Sequence, residues 1–96
     1  MITPDILKEF KERMHISHSA EDENLKRLLQ HSLADIQAKC GAFDISTHSR
    51  GRELVMERTR YVYNDALEYF DKNFLSQLIS LGFDLLPEAG ETDATV

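Results

Sequence analysis

Apolar residues recur at helical spacing along most of this chain, and the longest such segment is residues 53–74. The segment contains neither glycine nor proline, so nothing within it is expected to interrupt a helix. Placed at 100° per residue, its apolar side chains cover an arc of roughly 160°, wider than the stripe of about 100° that a surface helix needs to pack on one core. The pattern therefore predicts one continuous helix with more apolar surface than a small monomer buries.

The apolar residues of this helix divide into two seams. Val62, Ala66 and Tyr69 lie on the wide apolar side and are predicted to face the fold. Leu54 and Tyr61, seven residues apart, interrupt the opposite polar side. They are predicted to face a neighbouring subunit, since a tyrosine ring packs well while its hydroxyl stays hydrated. The alternative, in which the whole aromatic stripe belongs to the core, stays open at this point.

Two helices are predicted ahead of this segment. The first covers residues 4–14, with Thr3 as its N-cap and a proline in its first turn. The second covers residues 21–39, where leucines and an isoleucine fall in one arc. Ser19 is predicted to cap its N-terminus and Gly41 to supply the left-handed residue after its C-terminus.

A short helix is predicted over residues 74–81, ended by Gly82. The chain is therefore predicted to be all-α, a small bundle of about four helices, two long and two short. The helical domain is assigned to residues 1–86. Residues 87–96 are small, polar and acidic, and are expected to form a disordered tail.

Length, charge and cysteine content exclude several classes of protein to which this chain could otherwise belong. Cys40 is the single cysteine among 96 residues, which excludes an intrachain disulfide and a four-thiolate zinc site. There is no basic–apolar leader and no apolar run near 18 residues, so neither secretion nor membrane spanning is expected. The formal charge of −6 argues against tight non-specific DNA binding, which requires a basic surface.

The residue types that carry catalysis or bind metals form no convincing group. The four histidines, His15, His18, His31 and His48, are predicted to be surface or cap residues, because a zinc site needs three or four converging ligands. Cys40 lies on the apolar side of the second helix and is predicted to be a small buried hydrophobe. No glycine-rich phosphate loop occurs. We therefore expect no enzymatic activity, no cofactor and no metal.

The order of the parts resembles a known family. A capped short helix in residues 2–10 is followed by an acidic cap in residues 19–25 that opens a long amphipathic helix. An aromatic helix in residues 60–70 and a leucine-rich short helix in residues 74–81 complete the series. Over roughly residues 2–86, this arrangement resembles the small head–tail connector (adaptor) proteins of tailed bacteriophages and prophages.

The resemblance implies a structural virion protein. Such a subunit belongs to a ring, usually twelvefold, that lies below the portal protein, extends the DNA channel and docks head-completion or tail proteins. It would occur in the neck of the virion, and in the host bacterial cytoplasm during assembly. No catalytic residue is implied, DNA passes through without specific binding, and no membrane takes part.

Two features of the residues fit this role. The surplus apolar arc of the long helix would be covered at subunit contacts in a closed ring. We accordingly predict that Leu54, Arg58, Tyr61 and Asp65 lie at the subunit interface. The net acidity fits a conduit, since a channel wall rich in lysine and arginine would retain DNA.

The main alternative is a small helical regulator or antitoxin-like module that binds DNA or protein. Short helices joined by tight turns can contain a helix-turn-helix. A recognition helix would need basic residues on one exposed face, and the long segment offers Arg52, Arg58 and Arg60. Neighbouring acids, such as Glu53 and Glu57, offset these charges.

Overall fold

The computed structural model describes residues 2–86, in which helices are joined by turns and loops and no strand occurs. The expected all-α class is confirmed for these residues, while the acidic tail predicted for residues 87–96 lies outside them. The helices are α1 (Pro4–Met14), α2 (Asp22–Cys40), α3 (Ser49–Tyr63), α4 (Phe70–Asn73) and α5 (Leu75–Asp84), with a 3₁₀ turn, Leu67–Tyr69, ahead of α4.

Both ends of α1 are closed by local hydrogen bonds. The hydroxyl oxygen of Thr3 accepts a bond from the backbone N–H of Ile6 at 3.2 Å, which confirms Thr3 as the N-cap. At the other end His15 adopts a left-handed conformation with φ 60°. The backbone N–H of Ile16 then donates to the carbonyl of Lys11 at 2.9 Å, the six-to-one bond of a Schellman motif.

Helix α2, Asp22–Cys40, has nearly the predicted bounds but a different N-terminus. Ser19 is not its cap, so that prediction is wrong; Glu21 occupies the cap position and makes no capping bond with its side chain. The Glu21 carboxylate instead accepts a hydrogen bond from the Tyr63 hydroxyl at 2.9 Å, tying α2 to the end of α3. Gly41 has the expected positive φ, 121°, where the chain leaves the helix.

The core lies mainly between α2 and α3, the pair with the most extensive contact. Helices α1 and α5 pack against this pair, and α4 adds Phe70 to the core. All these helices contribute fully or nearly fully buried apolar side chains. The principal ones are Phe10 from α1, Leu25, Leu29 and Ile36 from α2, Leu54, Val55 and Met56 from α3, and Phe70 and Leu81 from α4 and α5.

The predicted continuous helix over residues 53–74 is wrong, because α3 ends at Tyr63. Asp65 takes the left-handed conformation, φ 60°, that glycine usually supplies after a helix. The Ala66 N–H donates to the Tyr61 carbonyl at 2.8 Å, and the Asp65 N–H donates to the Val62 carbonyl at 3.1 Å. These two bonds are those of a Schellman motif, so the helix is ended without glycine or proline.

An aromatic cluster accounts for this turn. The chain reverses after Asp65 and brings Phe70 and Phe74 back against Tyr61, with ring centroids 5.7 and 5.6 Å from the tyrosine ring. Both rings meet Tyr61 edge-on, and Phe70 stacks on Phe74 at 5.0 Å. Edge-on and offset pairs are favourable arrangements for aromatic rings. Packing of this cluster therefore outweighs continuation of the helix.

Helix α5 extends beyond its predicted end. Gly82 was expected to end the helix, but α5 continues to Asp84. Gly82 has no positive φ, so it does not act as a left-handed terminator. The buried side chains of Leu78 and Leu81 hold α5 on α2 and α3, and this packing carries the helix past the glycine.

Candidate functional site

The four residues predicted to form the subunit interface lie in different environments. Leu54 is only 1% exposed and belongs to the core, so its predicted outward orientation is wrong. Arg58 is half-buried against α2, Tyr61 is half-buried beside the aromatic cluster, and Asp65 is exposed in the turn after α3. Their role in subunit contacts stays a prediction for Arg58, Tyr61 and Asp65. Leu54 is not on the surface of the described fold.

The prediction that the inward seam of the long helix faces the fold is wrong for Tyr69. Tyr69 was expected to face the fold, yet it is 56% exposed. The wheel placed Tyr69 in register with Val62, but the left-handed turn at Asp65 removes that register. Positions after residue 65 therefore have to be assigned from the contacts of α4 and α5.

The largest exposed apolar side chains of the described fold are concentrated on α5. Leu75, Ile79 and Phe83 follow one another at a spacing of four residues and are 56%, 51% and 70% exposed. Leu86, three residues further on, is 59% exposed. Residues four apart lie on the same face of a helix. We call these four residues the α5 stripe.

The sequence carries a signal for the α5 stripe that the earlier prediction did not use. The spacing of Leu75, Ile79 and Phe83 is helical, and residues 73–83 contain no charged side chain. Ending the helix at Gly82 separated Phe83 from the other two residues and concealed the pattern. Exposed apolar patches on a small fold mark interaction surfaces more often than scattered single residues do.

A shallow depression runs alongside the α5 stripe, between α5 and the C-terminal end of α2. It consists of two adjoining parts of about 310 and 330 Å³, both bordered by Lys39, Cys40 and Gly82. All four stripe residues line one part or the other. The stripe and the depression together form one mainly apolar surface, with Lys39 and Asp71 at its border.

Cys40 occupies the floor of this depression. Its thiol donates a weak hydrogen bond to the carbonyl of Leu78 at 3.4 Å, and burial raises the pKa of the thiol above its ordinary value. A raised pKa lowers the fraction of reactive thiolate. The half-buried Cys40 therefore acts as a packing residue, close to the small hydrophobe that was predicted.

Gly82 is unusual for a helix interior. A Cβ atom at this position would meet no other atom within 4 Å, so the fold of the single chain does not require glycine there. Glycine in a helix costs roughly 0.5–1 kcal/mol relative to alanine. Glycine in a helix also permits close approach by another backbone or ligand. Its place beside the stripe leaves room for such an approach.

Charge is distributed unevenly along the chain. Residues 67–96 contain six acidic side chains and one basic side chain, whereas residues 1–66 contain eleven acidic and ten basic ones. Nearly all of the net charge of −6 therefore belongs to the last third of the sequence. Within it, residues 73–83 are uncharged, so the α5 stripe is a neutral apolar strip in an acidic part of the chain.

A second recess lies at the other end of α2. It measures about 440 Å³ and is formed by α1, the first turns of α2 and the loop that joins them; we call it the α1–α2 groove. Apolar groups of Pro4, Leu7 and Ile16 line it, and charged side chains border it. The bordering residues are Lys8, Lys11, Glu12, Asp22, Glu23 and Lys26. Their three positive and three negative charges balance.

The arginines of α3 are engaged within the chain. Arg58 donates to the Ser32 hydroxyl at 3.0 Å, and its Nε lies 3.1 Å from the Asp35 carboxylate. Arg60 pairs with Glu57 at 2.8 Å. Arg52 donates to backbone carbonyls of the preceding loop. A recognition helix needs such side chains free for phosphates and bases, so this arrangement gives the DNA-binding alternative little support.

The histidines act locally. His48 Nδ1 accepts a hydrogen bond from the backbone N–H of Gly51 at 3.0 Å and so caps α3, while His15 closes α1. These are the cap roles that were predicted for the histidines. Within residues 2–86, no three histidine, cysteine, aspartate or glutamate side chains come together as a metal site would require. None of the helices in that range has the length and apolar character needed to cross a bilayer.

No family model, curated protein or solved structure matches this chain. The resemblance to head–tail connectors therefore stays an expectation based on the order and pattern of the helices.

Proposed function

We propose that this protein is a head–tail connector subunit, which assembles into a ring below a portal and docks further neck or tail proteins. The observation that carries the proposal is the α5 stripe. Three large apolar side chains, each at least half exposed, lie on one face of α5, whose other face is packed into the core, and the exposed Leu86 follows just beyond the helix. Exposing such an apolar surface to water is unfavourable in free energy, and covering it with other subunits removes this unfavourable term.

The size of the stripe supports a role in assembly. A large side chain buries roughly 150–250 Å² when covered, so four side chains at these exposures offer on the order of 400 Å². That area would form the apolar centre of an interface of standard size, about 800 Å² on each partner, with a polar rim around it. The stripe is thus large enough to anchor a subunit contact.

The acidity of the last third of the chain is compatible with a DNA conduit. Each lysine or arginine on a channel wall can neutralise a phosphate and adds to binding of the passing duplex. A wall with an excess of acidic groups keeps that binding weak. In this proposal the ring guides DNA and does not hold it.

The proposal is tested by the assembly state of the purified protein. Sedimentation velocity and negative-stain electron microscopy, on the protein alone and with purified portal rings, should show annular oligomers. The variant Ile79→Glu/Phe83→Glu should stay monomeric with an unchanged helical circular dichroism spectrum, because both side chains are exposed. Gln77→Glu is the matched control, since it adds a charge to the same helix on an exposed position off the stripe.

Two results would contradict the proposal. A wild-type protein that remains monomeric at high concentration and ignores portal rings has no connector function. A double variant that assembles as well as the wild type shows that the α5 stripe takes no part in assembly. Tight, salt-dependent DNA binding in a titration at low ionic strength would instead favour the regulator.

A further inference from the structure

Exposed apolar surface is concentrated in one place on the described fold. Within residues 2–86, the exposed large apolar side chains outside the α5 stripe are Leu67 and Tyr69. The apolar floor of the α1–α2 groove is largely covered already, since Leu7 is 8% exposed and Ile16 is half-buried. Among the described residues, the surface of a second copy that best matches the stripe is therefore the same stripe.

The order of side chains along the stripe is symmetric from end to end. At 100° per residue, Leu75, Ile79, Gly82 and Leu86 fall within an arc of about 60°. Their spacings are four, three and four residues, so the row is the same when it is read in the opposite direction. Two copies of α5 packed antiparallel about a two-fold axis therefore place Leu75 opposite Leu86 of the second copy, and Ile79 opposite its Gly82.

The glycine in the middle of this row fits such a pairing. In the single chain, a Cβ atom at Gly82 would meet nothing within 4 Å. In the antiparallel pair, the branched side chain of Ile79 from each copy fills the space above Gly82 of the other copy, as a knob fills a hole. A residue that is unfavourable in an isolated helix thus has a packing role between two helices.

The charges near the stripe do not oppose this pairing. Residues 73–83 carry no charged side chain. Lys39 and Asp71 border the depression, and they pair with each other at 3.0 Å. Asp84, at the end of α5, pairs with Arg50 at 3.5 Å. Bringing two stripes together therefore sets no unpaired charge of these residues against its own copy.

The area of the stripe is that of a weak but specific dimer. The four stripe side chains offer on the order of 400 Å² per copy, so two copies cover about 800 Å² of apolar surface. Homodimer interfaces are roughly 65% apolar, which gives a whole contact of about 1,200 Å². That area is at the lower end of the range for specific interfaces, where complexes form and separate readily.

We infer that the free protein pairs two-fold through the α5 stripe, with the two copies of α5 antiparallel and with Ile79 and Gly82 at the centre of the contact. The inference rests on the proposed connector function, in which other subunits cover the same stripe, and it names what covers the stripe before that assembly. The dimer and the ring then compete for one surface. At low concentration the dimer predominates, and at high concentration or on portal rings the contacts of the ring replace it.

Double variants at the two ends of the row test the pairing. Leu75→Glu/Leu86→Lys places opposite charges face to face twice in the antiparallel dimer, whereas Leu75→Glu/Leu86→Glu places like charges there. The first should dimerise at least about tenfold more tightly than the second, as measured by sedimentation equilibrium. Both side chains are more than half exposed, so the circular dichroism spectrum of the monomer should not change.

Two further variants separate this effect from net charge. The exchanged pair, Leu75→Lys/Leu86→Glu, should dimerise as Leu75→Glu/Leu86→Lys does. Leu75→Lys/Leu86→Lys lowers the net negative charge of the chain, yet it should dimerise as weakly as Leu75→Glu/Leu86→Glu, because like charges again face each other.

The single cysteine gives an independent measurement. Cys40 borders both parts of the depression together with Ile79 and Gly82, so a two-fold axis at that point brings the two Cys40 thiols near each other. A short, reducible bismaleimide should therefore link wild-type chains into covalent dimers. The control Cys40→Ser/Arg27→Cys moves the thiol about 20 Å along α2, to an exposed position away from the stripe, and should not be linked.

The linked dimer tests the competition between dimer and ring. With both stripes held covered, it should fail to assemble on purified portal rings. Cleaving the linker by reduction frees the two chains and should restore assembly.

Each outcome bears on a different statement. Covalent dimers together with the expected order of the charge variants support the two-fold pairing. Annular wild-type oligomers, with no covalent dimer and with all four double variants equally weak, overturn the pairing but leave the connector function in place. Dimers that follow the expected order and never join portal rings support the pairing and remove the connector function. A linked dimer that assembles as readily as the free protein overturns the competition for the stripe.

Discussion

The α2–α3 pair and α5 contain similar apolar side chains, but the first region buries them and the second leaves several of them exposed. Leu54 of α3 is 1% exposed, whereas Leu75 of α5 is 56% exposed. Helix α3 has the core on one side and charged side chains that reach neighbouring helices on the other. Helix α5 buries two leucines and exposes a full apolar stripe. The comparison indicates that the first region holds the monomer together. The second leaves apolar surface exposed, which in our proposal contacts another subunit.

Charged side chains reinforce the same difference. Asp35 of α2 lies 3.1 Å from Arg58 and 3.0 Å from Lys39, so two cations share one carboxylate. Arg13 of α1 pairs with two glutamates of α3. The one ion pair of α5 within the described residues, Arg50 with Asp84, is long at 3.5 Å and half-exposed. Partly buried networks contribute more than isolated exposed pairs, so charge stabilises the α2–α3 region more strongly.

The largest expected effect is on the free energy of unfolding, when Leu54 and Leu75 are each replaced by alanine. Leu54→Ala should lower the free energy of unfolding by about 2–5 kcal/mol, because it leaves a cavity in a close-packed core. Leu75→Ala, at an exposed position, should change it by less than about 0.5 kcal/mol. Urea unfolding of dilute monomer, followed by circular dichroism, measures both. Equal losses for the two variants would contradict the division into a core region and a contact region.

A pair of glycines sharpens the comparison further. Gly51 of α3 is buried, and a Cβ atom there would lie 2.4 Å from the ring of Phe43. Because that contact involves the side of a whole ring, Gly51→Ala should destabilise the fold by about 1–3 kcal/mol, as overpacked cores do. Combining it with Phe43→Leu should recover part of the loss. A neutral or stabilising Gly51→Ala would show that the loop carrying Phe43 moves freely.

At Gly82, replacement by alanine is expected to stabilise the monomer, the opposite of the effect at Gly51. Gly82→Ala should raise the free energy of unfolding of the monomer by about 0.5–1 kcal/mol, since alanine favours the helix and its Cβ meets no atom. The same change should weaken self-association, because it fills the depression beside the α5 stripe. Urea unfolding and sedimentation equilibrium on one sample measure the two effects. Equal stabilisation of monomer and oligomer would show that nothing approaches Gly82 in the assembly.

Local signals in the sequence were sufficient for the elements that depend on local chemistry. The Thr3 cap of α1 follows from capping chemistry and agrees with the structure. The clean apolar arc places α2 within one residue of its observed bounds at each end, although the predicted Ser19 cap is wrong. The break after Tyr63 depends on contacts that close only in three dimensions. Asn64 and Asp65 are weak helix formers, but the aromatic cluster decides that the chain turns there.

The candidate surface was harder to foresee for the same reason. A helical wheel assigns faces correctly only while the helix continues, and the turn at Asp65 ended the register on which the two seams depended. Leu54 was judged by its polar neighbours on the wheel, yet α3 is covered on more than one side. The α5 stripe exists as one face only because the helix continues through Gly82 to Asp84.

The smallest expected effect concerns the ion pairs that tie α1 to α3. Arg13 donates to the Glu53 carboxylate at 2.8 and 2.9 Å, and these hydrogen bonds lower the pKa of Glu53 below its ordinary value of 4.5. A lowered folded-state pKa means that the stabilisation is present above the ordinary value and is lost as pH falls through the folded value. Because the Glu53 side chain is 57% exposed, the contribution should be only a few tenths of a kcal/mol.

Glu53→Gln measures this contribution. At pH 7 the variant should be less stable than the wild type by that small amount, and the difference should vanish as the pH is lowered through and below the folded-state pKa. Raising the salt concentration at pH 7 should reduce the difference as well, since exposed pairs are screened. The assembly state should not change, because Glu53 borders neither the α5 stripe nor the α1–α2 groove. A stability difference that grew towards acid pH would mean that the folded state raises the pKa of Glu53, and the pairing with Arg13 would then not be what joins α1 to α3.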